Sequence, residues 1–220
     1  MTRTKMLLLT LLLAPAAASA ATVVVDWSGQ IDAYAAAPGS SYPQTLSDTS
    51  ISGAFTFNTN LLPPPDAGNP AGVVSFTGSG FMQSTVQWSG GTFTPEPPGS
   101  SGSSSLYIDT NADECTIQDS STYMDALGIP HQAMLNLDVS GLIAATATGF
   151  SVGTVGSGYF WDLTTPSDGS APGGFEAFFT TDSVTVGVPG PDTASLSVGM
   201  LLAVMVAFMR GRRKEACKEA

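Results

Sequence analysis

The chain has 220 residues, a formal net charge of −11 at pH 7, 43% hydrophobic residues, 24 glycines and 15 prolines. All seven Lys and Arg residues lie at the ends, at Arg3 and Lys5 and from Arg210 onward, whereas of the 18 acidic residues only Glu215 and Glu219 lie in the cationic tail. A central region with no fixed cation repels phosphate backbones, which excludes nucleic acid as a partner, and it has no Lys or Arg with which to form salt bridges, so burial and backbone hydrogen bonds must hold it together.

The first twenty residues have the organisation of a secretory signal peptide. Arg3 and Lys5 form a positive start, residues 6–13 an apolar run, and Ala18-Ser19-Ala20 a small-residue cleavage site recognised through Ala18 and Ala20. The apolar run is too short to span a bilayer and ends at Pro15. Signal peptidase and the export machinery are therefore the first expected partners, and the mature chain begins outside the cytoplasm.

Residues 21–187 are long enough for one domain with its own core. Their hydrophobic period is two. Ile51, Gly53, Phe55 and Phe57 alternate with Ser52, Ala54, Thr56 and Asn58, and Ala133, Leu135, Leu137 and Val139 alternate with Gln132, Met134, Asn136 and Asp138. Further strands are expected over 22–31, 73–82, 84–93, 106–109, 142–152, 159–163 and 175–186. The stretches 36–50, 61–72, 94–105 and 164–174 are rich in Pro, Gly and Ser and read as connections. Among them, Pro63-Pro64-Pro65 and the serine run 100–105 are expected to lie outside any core strand. One short helical turn is expected at 121–127. About nine strands and no helical stripe predict an all-β domain, an antiparallel β-sandwich for which a jelly roll is one winding, with a helix at each end of the full chain.

Candidate chemistry is sparse. Gly149-Phe150-Ser151-Val152-Gly153 has the G-x-S-x-G spacing of a nucleophile elbow, but it lies in a strand pattern and His131 is the sole imidazole in the chain. Asp109-Thr110-Asn111-Ala112-Asp113 opens like a calcium loop, yet Glu114 replaces the turn glycine and Ser120 the bidentate Glu. His131, after Gly128-Ile129-Pro130, reads as a loop residue at a strand entrance, and one histidine alone builds no zinc site. Trp27, Trp88 and Trp161 with Tyr159 and Phe160 would form a sugar-stacking platform only if they shared an exposed face; in alternating strands the core is the ordinary place for them. Cys115 and Cys217 fall on opposite sides of the expected membrane and cannot pair. No catalytic, cofactor-binding or metal-binding residue is assigned, and the expectation is a protein without enzymatic activity.

The end of the chain is the most specific stretch. A Val188-Pro189-Gly190-Pro191 turn precedes a nearly uncharged run to Met209, followed by Arg210, Arg212, Arg213 and Lys214. The 18 residues from Asp192 to Met209 span about 27 Å as a helix, just enough for a bilayer, and the cations mark the cytoplasmic side. Residues 188–214 thus form a membrane-stop tail and 215–220 a short cytoplasmic end.

This tail resembles those of the PEP-CTERM proteins of Gram-negative bacteria, which carry a Pro-Glu-Pro signature, one transmembrane helix and an Arg-rich end. Val188, Pro189 and Pro191 match, whereas Gly190 stands where the family has Glu. Pro95-Glu96-Pro97 spells the tripeptide inside the domain, without the helix or the cations, so the order of the three parts carries the resemblance. The resemblance implies sorting by an exosortase-type membrane protease. It also implies residence in the inner membrane with the domain outside, or on the cell surface after processing, and a link to exopolysaccharide. A surface carbohydrate-binding module or glycoside-active enzyme on the same sandwich is the alternative.

The excess of acids gives a first prediction. Added sodium chloride up to moderate ionic strength should raise the melting temperature of the mature protein by screening self-repulsion, as read by circular dichroism; a steady fall would show that the carboxylates do not repel one another.

Overall fold

A computed structural model describes residues 22–38, 40–97, 100–141, 156–164 and 173–187. The signal-peptide residues Ala18 and Ala20, the expected strand 142–152, the Gly149–Gly153 motif, and the tail with Val188, Pro189, Gly190, Pro191, Arg210, Arg212, Arg213 and Lys214 lie outside the described residues. Among the described residues no helix is long and apolar enough to cross a membrane.

The described chain is all-β, as its period of two requires. It forms β1 (Thr22–Ala36), β2 (Ser50–Asn58), β3 (Val73–Gly78), β4 (Met82–Trp88), β5 (Gly91–Phe93), β6 (Ser101–Asp109), β7 (Glu114–Met124), β8 (Pro130–Ser140), β9 (Gly156–Thr164) and β10 (Gly173–Gly187), with one 3-10 turn at Thr59–Leu61. All ten join one antiparallel sheet in the order β3-β6-β7-β8-β9-β10-β1-β2-β4-β5. The first and last described strands pair, Val24 opposite Gly187, so the domain's two ends leave from the same end of the sheet.

The sheet folds over a single core. Five strands separate β4 from β7 in the sheet order, yet Ser84 of β4 donates to Asp119 of β7 at 2.6 Å. Alternate residues of every long strand meet in the enclosed space, among them Phe55, Val86, Ile117, Leu135, Leu137 and Phe160, none more than 1% exposed. At about 1.5–3 kcal/mol for each fully buried large side chain, this row is the main source of stability. Trp27 stacks on Phe179 with centroids 4.6 Å apart and planes 7° from parallel. Gly53 lies opposite Trp27, and a Cβ there would overlap the indole ring, so only glycine admits this packing.

Three sequence expectations are corrected. The serine run is not a connection: Ser101–Asp109 is a full strand between β3 and β7, because Ser104, fully buried, donates to the equally buried Asp119 at 3.1 Å. Residues 121–124 form no helical turn but the end of β7, where Ser121 donates to the Pro95 carbonyl oxygen. The expected strand 84–93 is divided into β4 and β5 by a turn at residues 89–90. In the first two cases polar residues occupy inward positions, and the alternation that marks a strand disappears from the sequence.

The two prolines of the internal Pro95-Glu96-Pro97 flank a half-buried carboxyl group whose Oε1 is shielded and has no hydrogen-bond partner. This tripeptide is packed into the domain, with Pro95 itself buried. The triple proline has a different use. Pro63 packs against Gly78, while Asp66 donates its amide to the Ser75 carbonyl at 2.9 Å and accepts from the hydroxyls of Ser75 and Thr77 at 2.7 and 3.0 Å. The segment thereby shields the outer edge of β3, which would otherwise offer free ladder groups to another chain.

Burial raises the Asp119 carboxyl above the ordinary carboxylate range, against the opposing pull of the Ser84 and Ser104 hydroxyls. Burial, and then the charge of Asp119, raises Glu96 as well. A raised acid holds a proton in the fold that the unfolded chain releases, so stability is lost as pH rises from about 3.9 through the folded value. One such group contributes at most about 1.4 kcal/mol per pH unit, equivalent to roughly 3–6 °C. Asp119→Asn, which keeps an acceptor and a donor for the two serines, should flatten the dependence of melting temperature on pH relative to the parent protein between pH 4 and 8. An unchanged slope would locate the dependence elsewhere.

Candidate functional site

The end of the sheet opposite the paired termini carries the densest polar arrangement. Here β7 ends, β8 begins, β9 ends and β10 begins, and the ladder sets Tyr123 opposite His131 and His131 opposite Thr164. Asp162 of β9 points inward and is 1% exposed. Its Oδ2 accepts from the hydroxyls of Tyr42 at 2.7 Å and Tyr123 at 2.8 Å, and its Oδ1 lies 2.7 Å from His131 Nδ1. On the other side of the imidazole, Nε2 faces Asp125 Oδ2 at 3.6 Å. Tyr123 stacks on the His131 ring with centroids 4.7 Å apart. Burial, reinforced by Asp162, raises both the Tyr42 and Tyr123 phenols above their ordinary value, so they remain hydrogen-bond donors through the physiological range.

His131 is thus not the loop residue expected from sequence but part of β8, bonded to Asp162 at Nδ1 and facing the Asp125 carboxyl group with Nε2. A general base needs a free nitrogen directed at a substrate, and this imidazole has both of its nitrogens facing carboxyl groups. Its role here is to link elements: Tyr42 ties the 37–49 connection to β9, and Asp125 accepts from the amides of Leu127 and Ile129 at 2.9 and 2.8 Å, closing the β7–β8 turn. Those amide bonds lower the Asp125 carboxyl below its ordinary range.

The calcium-like stretch is also self-contained. Asp109 Oδ1 accepts from the amides of Asn111 at 2.8 Å and Ala112 at 3.3 Å, and the Asn111 amide group donates to the Ala71 carbonyl at 2.9 Å. Its oxygens thus serve an Asx turn between β6 and β7. Among the described residues no group of three or more His, Cys, Asp or Glu is placed to hold a metal. Cys115 is buried, and burial pushes its thiol up to about 12, which suits a packing residue rather than a nucleophile.

The tryptophans divide. Trp27 and Trp88 are core residues at 3% and 8% exposure, as expected of alternating strands, and Trp88 packs into a cage with Phe160 and Phe175. Trp161 instead faces outward on β9, in step with Tyr159 and the 40%-exposed Leu163. Across the ladder Tyr159 pairs with Phe178, 45% exposed, with ring centroids 6.1 Å apart, and Trp161 pairs with Glu176 on one side and Met134 on the other. At the adjoining turn Met124 and Leu127 protrude at 68% and 84% exposure. A second feature of the outer face is polar: an open groove of about 350 Å³ at the β1 bulge, lined by Ser28, Gln30, Ser52, Gln87 and Asp182.

No family model matches the chain, and no curated protein or solved structure is detectably similar to it.

If the Asp162 network is a structural clasp, His131→Ala should destabilise the protein by about 2–4 kcal/mol in urea unfolding, because it leaves a sealed carboxyl short of a partner. Tyr42→Phe, which removes one of three donors and leaves the ring, should cost about 1 kcal/mol. Equal stability of all three proteins would show that the network bears no load.

Proposed function

We propose that the chain is an exported protein without enzymatic activity, carried out by residues 1–20, held or sorted at the membrane by the tail 188–214, and displayed at the cell surface or in an extracellular matrix. The observation that carries this reading is the arrangement of charge and chain ends. The folded region contains no Lys or Arg, the cations flank it in sequence, and its first and last strands are paired side by side. The last strand runs to Gly187, one residue before the Val188-Pro189-Gly190-Pro191 turn, so almost no stalk intervenes between the sheet and the expected anchor.

The resemblance of the tail to PEP-CTERM proteins supports an exosortase-type protease as a partner, with processing near the turn and release of Arg210, Arg212, Arg213 and Lys214 with the helix. As a fold, the doubled-over sheet is read as a β-sandwich; the passage of the chain from β2 to β3 at the far edge and back to β4 is the feature that supports a jelly-roll-like winding. The engaged nitrogens of His131 and the sealed Asp162 argue against a glycoside-active enzyme at this end of the sheet. The outward rings of Tyr159, Trp161 and Phe178 favour a second reading, a surface carbohydrate-binding module.

Protease added to intact spheroplasts should digest residues 22–187 while a cytoplasmic control survives. Protection of the domain alongside digestion of a surface control would overturn the topology. Intact mass of the protein from its native cells should then end near Pro191 if the tail is processed and at Ala220 if it is not.

A further inference from the structure

Strand β9 presents its side chains against the hydrophobic rule. In Tyr159-Phe160-Trp161-Asp162-Leu163 the apolar alternate set is Tyr159, Trp161 and Leu163, and burying it would gain about 1.5–3 kcal/mol for each side chain. The fold does the opposite: Phe160 and Asp162 point inward and the other three outward. Phe178 adds a fourth large apolar side chain to the same outer face, beside Tyr159. A register that buries a carboxyl group while leaving Tyr159 and Trp161 only half-buried and Leu163 exposed departs from local consistency, and such departures cluster where a surface has work to do.

We propose that the outer face of β8, β9 and β10, centred on Trp161, Tyr159 and Phe178, binds an uncharged polysaccharide chain. The face is a stripe rather than a pocket: Tyr159 and Trp161 lie about 7 Å apart along one strand, and Phe178 widens the stripe across the ladder. An extended row of rings, half-buried at Tyr159 and Trp161 and exposed at Phe178, suits a polymer of flat apolar sugar faces better than a compact ligand. Polar side chains that can bond hydroxyls border it, with Glu176 opposite Trp161, Gln132 opposite Leu163 and Thr180 two residues beyond Phe178, all exposed.

Charge narrows the occupant. With no Lys or Arg in the folded region and Glu176 within the stripe, an anionic polysaccharide or an anionic lipid surface is repelled, and a second copy of this acidic face is repelled likewise. Position narrows it further. Glu176, beside Trp161, lies 11 residues before Gly187, about 35 Å along β10, so the rings stand well away from the membrane that the tail is expected to enter. This last step rests on the proposed topology; the binding itself does not.

The test uses the full mature chain in lipid nanodiscs, with cellulose and dextran as neutral probes and alginate as the anionic one, read by co-sedimentation and affinity electrophoresis. At least one neutral glycan should retain the protein, and alginate should retain it about tenfold less or not at all. Trp161→Ala and Phe178→Ala should each weaken retention about tenfold, with Trp161→Phe restoring part of it, while thermal melting stays close to that of the parent protein. Unchanged retention in the double variant, equal retention by alginate, or no retention by either neutral glycan would overturn the proposal. So would concentration-dependent self-association abolished by Trp161→Ala, which would identify a second copy as the occupant. Spheroplast proteolysis reports topology independently, so a failure of either reading is recognised apart from the other.

Discussion

The inward placement of Asp162 is the constraint on which the exposed face depends. A carboxylate deprived of water costs several kcal/mol unless its oxygens are bonded, and here Tyr42, Tyr123 and His131 provide three partners within 2.8 Å. Hydrogen bonds to a charged group contribute about 1.5–3 kcal/mol each, comparable with what burying Tyr159, Trp161 and Leu163 would return. Further contacts hold the register. Phe160, also inward, meets Trp88, Phe93 and Phe175, and Gly158 lies where any Cβ would overlap Phe179. A slip of one residue would lose all of these together.

Asp119 does for the fold of the sheet what Asp162 does for the register of β9. It joins β4 to β7 through Ser84 across the core and β6 to β7 through Ser104 along the ladder. The two inward carboxyl groups differ in their partners. Burial raises the Asp119 carboxyl, and the hydroxyls of Ser84 and Ser104 offset part of that rise. Asp162 has an imidazole and two phenols, within a chain whose described part holds no other basic side chain than His131. Polar contacts of this kind substitute for the salt bridges that the composition forbids.

The geometry also separates two ends with different tasks. Paired termini leave the sheet at one end, where the tail would anchor it, and the Asp162 clasp fixes the turn and strand ends at the other. Between them the outer surface changes character from the Ser- and Gln-lined groove at the β1 bulge to the aromatic stripe on β9 and β10. The proposed display reading and the proposed binding reading meet in this geometry, because the paired termini lie at one end of the sheet and the apolar stripe on β9 and β10 lies away from them.

By itself the sequence determined the all-β class, the inward faces of 51–57 and 133–139 and the burial of Trp27 and Trp88, because in each the apolar period is local. It also carries the expected leader and tail, which are statements about length, apolarity and flanking charge. Tertiary structure alone decided that the serine run is a strand with Ser104 buried, that residues 121–124 continue β7, and that His131 lies within a strand and a polar clasp. The reason is common to all three: at Ser104, Asp119, Ser121 and Asp162 an inward polar side chain finds its partner on another strand or segment, a contact between residues from 15 to 120 positions apart. Periodicity reads neighbours two residues away and cannot register such a contact. For the same reason it would place Tyr159, Trp161 and Leu163 inside, where the fold, with its carboxylate satisfied from elsewhere, leaves them out.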